Sequence, residues 1–271
     1  MATDMNVNSG SQTLARDSYH HPLPWETVFE PMTLPDMLAR TVAHDPAAPF
    51  LHFLGRTYSY GDIFEQANRF ALGLVEMGIE KCDRVGLFLP NVPIYASAYY
   101  GAMMAGATVV NFSPLYSVEE LAWQVADSGT KVLVTVDAPE LYKTAEAVLQ
   151  NSELETLIVG KISKMLPLLT GLAMQLFKRG DIAKVPYGQY GDAIREWSDM
   201  LADWAWSAWL DGERYDLPKL DPIEDLALLQ YTGGTTGRPK GAMLGHSQLS
   251  MNAQQTAALN PFGNPDRKSV V

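Results

Sequence analysis

The chain reads as an α/β protein: a layered, mostly parallel sheet flanked by helices. Short runs that are apolar on both faces alternate with longer segments whose apolar residues recur at helical spacing. Strands of that kind belong to parallel sheets covered on both sides. A third observation sets the scale, since 271 residues, 47% of them hydrophobic, suffice for one large or two moderate globular domains.

The first element is a helix near Leu34–Ala43, capped by Thr33 and stopped by Asp45-Pro46. Two short strands, Phe50–Leu54 and Thr57–Tyr60, flank a Gly55-Arg56 turn. A strong helix follows, with Ile63, Phe64, Ala67, Phe70, Ala71, Leu74 and Val75 on one face and Gly78 placed to end it. Arg84–Leu89 is a buried-strand candidate closed by Pro90, Ile94–Ala105 a helix, and Ala107–Phe112 a strand. Ser117 and Glu120 form a capping box for a helix through Ala126. Lys131–Val136 reads as a strand, Glu140–Leu149 as a helix, and Leu154–Val159 as another strand. There is no internal repeat and no low-complexity tract.

The alternation breaks after Gly160. Lys161–Lys184 is basic and apolar together, with Lys161, Lys164, Lys178, Arg179 and Lys184 against Asp181 alone. Pro167 and Gly171 interrupt any single helix there. A tryptophan-rich stretch carries Trp197, Trp204, Trp206 and Trp209, and Ile194, Trp197, Leu201, Trp204 and Ala208 share one helical face. These tryptophans fit a core better than a membrane belt, because aromatics contribute most through buried area. A polar linker with Pro218 and Pro222 leads to a strand, Leu226–Tyr231. Ala242–Leu244 then reads as a short strand and Ser247–Leu259 as a helix.

Bulk properties exclude some functions. Net charge is −11, from 31 acidic and 20 basic side chains, which argues against binding along a nucleic-acid backbone. Cys82 is the only cysteine, so no intrachain disulfide can form, and a reducing cytoplasmic setting fits. The first 20 residues have no apolar core of a signal peptide, and no apolar run is long enough to span a bilayer. His20 and His21 have no ligand-like partners in that polar stretch, and His246 reads as a structural residue at a helix start.

The chemistry sits in Tyr231-Thr-Gly-Gly-Thr-Thr-Gly-Arg-Pro-Lys-Gly241. Gly233, Gly234 and Gly237 let the backbone turn sharply and approach a ligand closely. Thr232, Thr235 and Thr236 add hydroxyls, and Lys240 adds a cation. A polyphosphate uses that mixture, because its oxygens accept from backbone N–H groups, hydroxyls and ammonium at once. A Walker A loop is excluded, since Lys240 follows Pro239 and precedes Gly241. A dinucleotide fingerprint is excluded by the glycine spacing and by the strand-like residues that follow.

The loop resembles the signature loop of adenylate-forming enzymes, which also ends in Pro-Lys-Gly. The flanking Asp225-Leu-Ala-Leu-Leu-Gln-Tyr231 and Gly241-Ala-Met-Leu244 resemble the acyl-CoA synthetase branch of that superfamily, in the style of bacterial long-chain fatty acid–CoA ligases. Upstream, four segments resemble the same branch in the same order. They are Thr57-Tyr-Ser-Tyr-Gly-Asp62, Gly78-Ile-Glu-Lys-Cys-Asp-Arg-Val-Gly-Leu-Phe-Leu-Pro-Asn91, Gly101-Ala-Met-Met-Ala-Gly-Ala107 and Asn111-Phe-Ser-Pro-Leu-Tyr116. Cys82 stands where that branch usually has glycine. The resemblance runs from about Leu34 to Leu259.

By that resemblance the fold is the N-terminal part of an adenylate-forming enzyme's large domain, truncated. Residues 1–30 would be a polar leader and 31–271 a partial domain with an insertion-like segment, 161–215. The implied reaction joins a long-chain fatty acid to AMP with release of pyrophosphate, then passes the acyl group to coenzyme A. Thr232, Gly233, Gly234, Thr235, Thr236, Gly237 and Lys240 would bind the ATP phosphates. Lys240 and Thr235 would be catalytic, and Thr232 would contact Mg²⁺. The second magnesium-binding glutamate, the adenine and ribose contacts, most of the acyl tunnel and the lysine of the mobile C-terminal domain are expected beyond Val271. About half of a ligase would then be present, unable alone to complete either half-reaction.

Other readings stay open: adenylation of an aryl, short-chain or amino acid, or a non-catalytic ATP-binding remnant. Also open are a homodimer of the complete enzyme and the role of Lys161–Lys184. That segment is either an insertion packed on the enzyme body or a peripheral contact with the inner face of the cell membrane.

Overall fold

The computed structural model describes residues 23–177, 179–188, 191–201, 217–232 and 239–259, with the side chains of 177 and 179 left aside. The expected alternation is present. Helix α1 (Leu34–His44) starts at Thr33, whose hydroxyl accepts from the Asp36 N–H. Strands β1 (Pro49–Phe53) and β2 (Arg56–Ser59) form a separate antiparallel hairpin. Its turn is Leu54-Gly55, one residue earlier than expected. Ser59 is claimed by the next helix, where it forms a capping box with Asp62, so α2 runs Tyr60–Glu76.

From there β3 (Arg84–Phe88), α3 (Pro93–Met104), β4 (Thr108–Phe112), α4 (Val118–Ser128), β5 (Thr130–Val136), α5 (Pro139–Asn151) and β6 (Thr156–Gly160) alternate without interruption. The box of Ser117 and Glu120 opens α4, and Gly129 closes it at φ 66°, a left-handed conformation that glycine adopts without strain. Among the described residues the main sheet has seven strands in the order β7-β6-β5-β3-β4-β8-β9. Strands β7 (Ile194–Glu196) and β8 (Leu226–Thr232) run parallel to β6 and β4, and only the edge strand β9 (Lys240–Gly245) is antiparallel. Helix α9 (His246–Ala258) follows directly.

Two apolar layers cover the sheet. Val85, Leu87, Val109, Val132, Val134 and Ile158 pack under α1, α2 and α3. Phe88, Val110, Phe112, Leu133, Leu157 and Val159 pack under α4 and α5. Alternate residues of each strand serve opposite layers, as the pleat requires. Helices α2 and α3 lie close because Gly101 has no side chain: a Cβ there would stand 2.6 Å from the Ala67 carbonyl oxygen.

The region after Gly160 departs from expectation at two points. Pro167 does separate two helices, α6 (Ile162–Met165) and α7 (Leu168–Phe177), but Gly171 lies inside α7. It is glycine because a Cβ would collide with the Ser163 carbonyl oxygen of α6. The helical face expected from Ile194 does not form either. Ile194 pairs with Leu157 at the sheet edge, and among the described residues only Trp197–Met200 is helical there (α8). Trp197 is buried against Phe70, with ring centroids 4.5 Å apart. Trp204, Trp206, Trp209 and Ala208 lie outside the described residues, as do His20 and His21.

The segment is clasped to the body by charge. Glu196 receives Lys161 and Lys164, both at 2.5 Å, and Ser198 at 2.7 Å. Burial pushes the Glu196 carboxyl up, but these three donors outweigh it and hold it at about 2.

Candidate functional site

The chain order places a crevice at the carboxyl edge of the sheet. Strand β3 connects to β4 through α3 in one layer, and β4 connects to β5 through α4 in the other. The winding therefore reverses between β3 and β4, and open α/β sheets bind ligands outside the carboxyl ends of strands at such a point. Strand β8 lies beside β4, with Val109, Val110 and Asn111 facing Leu228, Leu229 and Gln230. Its carboxyl end delivers the glycine-threonine loop to that edge.

Thr232 and Lys240 are the last pair of the β8–β9 ladder. The Thr232 hydroxyl donates to the Lys240 carbonyl over a long 3.4 Å. Both residues are exposed, and Lys240 makes no ion pair among the described residues. Gly233, Gly234, Thr235, Thr236 and Gly237 lie outside the described residues, so only the two ends of the predicted phosphate grip are placed.

The hairpin is fixed from behind. Tyr231 is buried, its hydroxyl donates to Asp127 of α4 at 2.6 Å, and its ring meets Trp123 edge-on at 6.0 Å. Burial, reinforced by the Asp127 carboxylate, pushes the Tyr231 phenol well above its usual range, so it stays a neutral donor. Gly241 lies over the Tyr231 ring, where a Cβ would sit 3.4 Å from it. At the other end of β9, His246 opens α9 and is buried. Its Nδ1 accepts from the Leu34 N–H at 3.2 Å, which ties the hairpin's exit to the start of α1. Burial pushes this imidazole down from its usual value, partly offset by Asp225 and Asp36. Its position is structural.

A polar chain not singled out in the sequence lies at the same edge. Tyr95 of α3 donates to Asn111 Oδ1 at 2.9 Å, and Asn111 Nδ2 donates to Gln230 Oε1 at 3.1 Å. Three elements thus meet through polar groups directly beneath the strand end that leads into the loop. The available signal was a polar residue inside each of two apolar strands, Val110-Asn111-Phe112 and Leu229-Gln230-Tyr231.

A cavity of about 410 Å³ runs along the hairpin. Its lining includes Cys82, Arg84, Thr108, Asp127, Tyr231, Gly241 and Met243. Thr232 and Lys240 do not line it.

Comparison with known proteins bears on this geometry. The family model described as "AMP-binding enzyme" matches residues 38–270. A long-chain-fatty-acid–CoA ligase of Bacillus subtilis (strain 168) is 31% identical over 240 residues, covering 89% of this chain and 41% of that protein. One from Escherichia coli O6:H1 is 34% identical over 241 residues, covering 88% and 41%. The chain spans about two-fifths of the length of these curated relatives, 41% in both cases. In three dimensions, the crystal structure of a long-chain-fatty-acid-CoA ligase from Archaeoglobus fulgidus superposes with a TM-score of 0.63 at 24% identity, over 88% of this chain and 42% of that one. That likeness concerns the fold.

Proposed function

The chain belongs to the AMP-binding enzyme family, and from that membership we propose that it carries the ATP-phosphate grip of an AMP-forming acid–CoA ligase acting on a long-chain fatty acid. The observation that carries this reading is the placement of Thr232 and Lys240. They stand side by side, exposed, at the carboxyl edge of a parallel sheet, with a glycine-threonine loop strung between them.

The problem in the proposed first step is charge. A carboxylate must approach an α-phosphorus surrounded by anionic oxygens, so positioned donors help more than a strong base does. Backbone N–H groups at Gly233, Gly234 and Gly237 and hydroxyls at Thr235 and Thr236 would hold the phosphate oxygens. Lys240 would bring its ammonium on a flexible stem to where negative charge collects. Thr232 fits Mg²⁺ by donor chemistry: its hydroxyl is a hard oxygen ligand on an exposed strand end, weakly engaged by one 3.4 Å bond. When bound, the ion would neutralise phosphate charge. Coenzyme A would supply the thiol for the second step, and the setting would be the cytoplasm. No helix among the described residues is long and apolar enough to cross a membrane.

The test is acid-dependent exchange of labelled pyrophosphate into ATP, run on protein from the complete reading frame with a panel of acids. Exchange is expected with long-chain fatty acids and should fall by about 100-fold in Lys240→Ala. Exchange only with aryl, short-chain or amino acids would reassign the acid. ATP binding without exchange for any acid would reduce the chain to a nucleotide-binding remnant.

A further inference from the structure

Two adjacent residues fix the end of β8 from opposite faces of the sheet. Tyr231 points into the layer under α4, where Asp127 takes its hydroxyl at 2.6 Å. Gln230 points the other way, as the pleat requires, and its Oε1 accepts from Asn111 Nδ2 at 3.1 Å. Asn111 and Gln230 are also the final register partners of the β4–β8 ladder, while Tyr231 and Thr232 continue in the pairing with β9. The amide bridge thus stands where backbone pairing on the β4 side stops, two residues before the strand ends at Thr232.

Packing alone does not call for this bridge. The neighbouring partners on the same face, Val109 and Leu228, are both buried and apolar. Two amides in that row cost desolvation unless their hydrogen bonds are made, and made bonds have a direction.

That direction is set at both ends. Tyr95 sits in the first turn of α3, with its ring stacked on Tyr99 at a centroid distance of 6.1 Å. Burial pushes its phenol up, so it stays a neutral hydroxyl. It donates to Asn111 Oδ1, which leaves Nδ2 to donate to Gln230 Oε1. Gln230 Nε2 then faces the Tyr231 carbonyl over a long 3.5 Å. Turning the Gln230 amide over would set an oxygen against that carbonyl and a donor against the Asn111 donor. The chain therefore runs one way, from α3 through β4 into the backbone that carries Thr232.

We propose that Asn111 and Gln230, anchored by Tyr95, are positioning residues for the phosphate grip: they hold the end of β8 so that Thr232 and Lys240 meet the triphosphate in one geometry. This rests on the ligase reading above. Neither amide touches the nucleotide; both act through the strand.

The test separates direction from packing. Replacing all three members with apolar residues of similar size, Tyr95→Phe, Asn111→Leu and Gln230→Leu together, removes the bonds without stranding a partner, so the urea midpoint is expected to hold. In protein from the complete reading frame, with sites counted by ATP calorimetry, kcat for pyrophosphate exchange should fall by about tenfold. KM for ATP should stay within about twofold, the sign of an interaction that matters in the transition state. A merely structural chain predicts activity that returns with stability. Tyr95→Phe alone takes one hydroxyl from the far end of the chain and should lower kcat by about threefold, which keeps the test decisive if the triple variant does not fold. An unchanged kcat in Tyr95→Phe, or in a folded triple variant, would overturn the proposal and leave the ligase reading standing. No exchange by the unaltered enzyme with any acid would remove both.

Discussion

Strands β5 and β6 bury every residue but one, whereas β9 exposes its first four in a row. Both belong to the same sheet, and the difference lies in what covers them. The inner strands have helices on both faces, so each alternate side chain leaves water for one of two apolar layers. Strand β9 is held by its ladder to β8, by the Tyr231–Asp127 bond behind it and by His246 at its exit. The proposed phosphate grip would need an edge where solvated anions can reach backbone and ammonium donors. The apolar layers supply stability, and the edge supplies access.

Substitution can break that division of labour at the platform first. Phe70 is fully buried between α3 and Trp197. Phe70→Ala should cost about 3–5 kcal/mol in urea unfolding, through lost burial and the cavity left behind. Lys240→Ala, at the exposed edge, should stay within about 0.5 kcal/mol in the same experiment.

His246 lies at the boundary between the two regions, and its loss should rank next. His246→Ala strands the Leu34 N–H and opens space, costing about 2 kcal/mol. The folded imidazole titrates below its ordinary 6.5 because burial disfavours the cation. Below pH 6.5 the unfolded chain takes up a proton that the folded chain refuses. Stability should therefore be full above that pH and decline as pH falls toward the folded value. Thermal melts across this window should show the decline in the unaltered chain and a flatter profile in His246→Ala.

The smallest effect concerns the turn into β3. Cys82 holds φ 72°, a conformation that disfavours any Cβ, and its N–H donates to the Gly106 carbonyl at 2.9 Å. Cys82→Gly should relax this strain and raise stability by about 0.5–1 kcal/mol, after allowing for glycine's extra freedom when unfolded. A shift in the urea midpoint without a change in slope would register it.

Much of the platform was legible because its signals are local. The capping box at Ser117 and apolar runs such as Lys131–Val136 announce themselves within a few residues, whereas the box at Ser59 was hidden in a run that reads as strand. The departures arise from contacts distant in sequence. Gly171 looks like a helix breaker until Ser163 is seen packed on it, and Ile194 looks helical until β6 recruits it as a three-residue edge strand. The loop motif pointed to phosphate chemistry from residue types alone, yet the Tyr95–Asn111–Gln230 chain beneath it did not. Asn111 and Gln230 are 119 positions apart, and only strand pairing brings them together.

The most direct test of the edge as a phosphate grip is binding to the 271-residue chain, measured by titration calorimetry with Mg²⁺ present. ATP and inorganic tripolyphosphate should bind with similar affinity, adenosine should not compete, and Lys240→Ala should weaken both ligands by about tenfold, the loss of one charge-assisted contact. Adenosine competing as well as ATP, or a Lys240→Ala chain binding tripolyphosphate unchanged, would contradict the account.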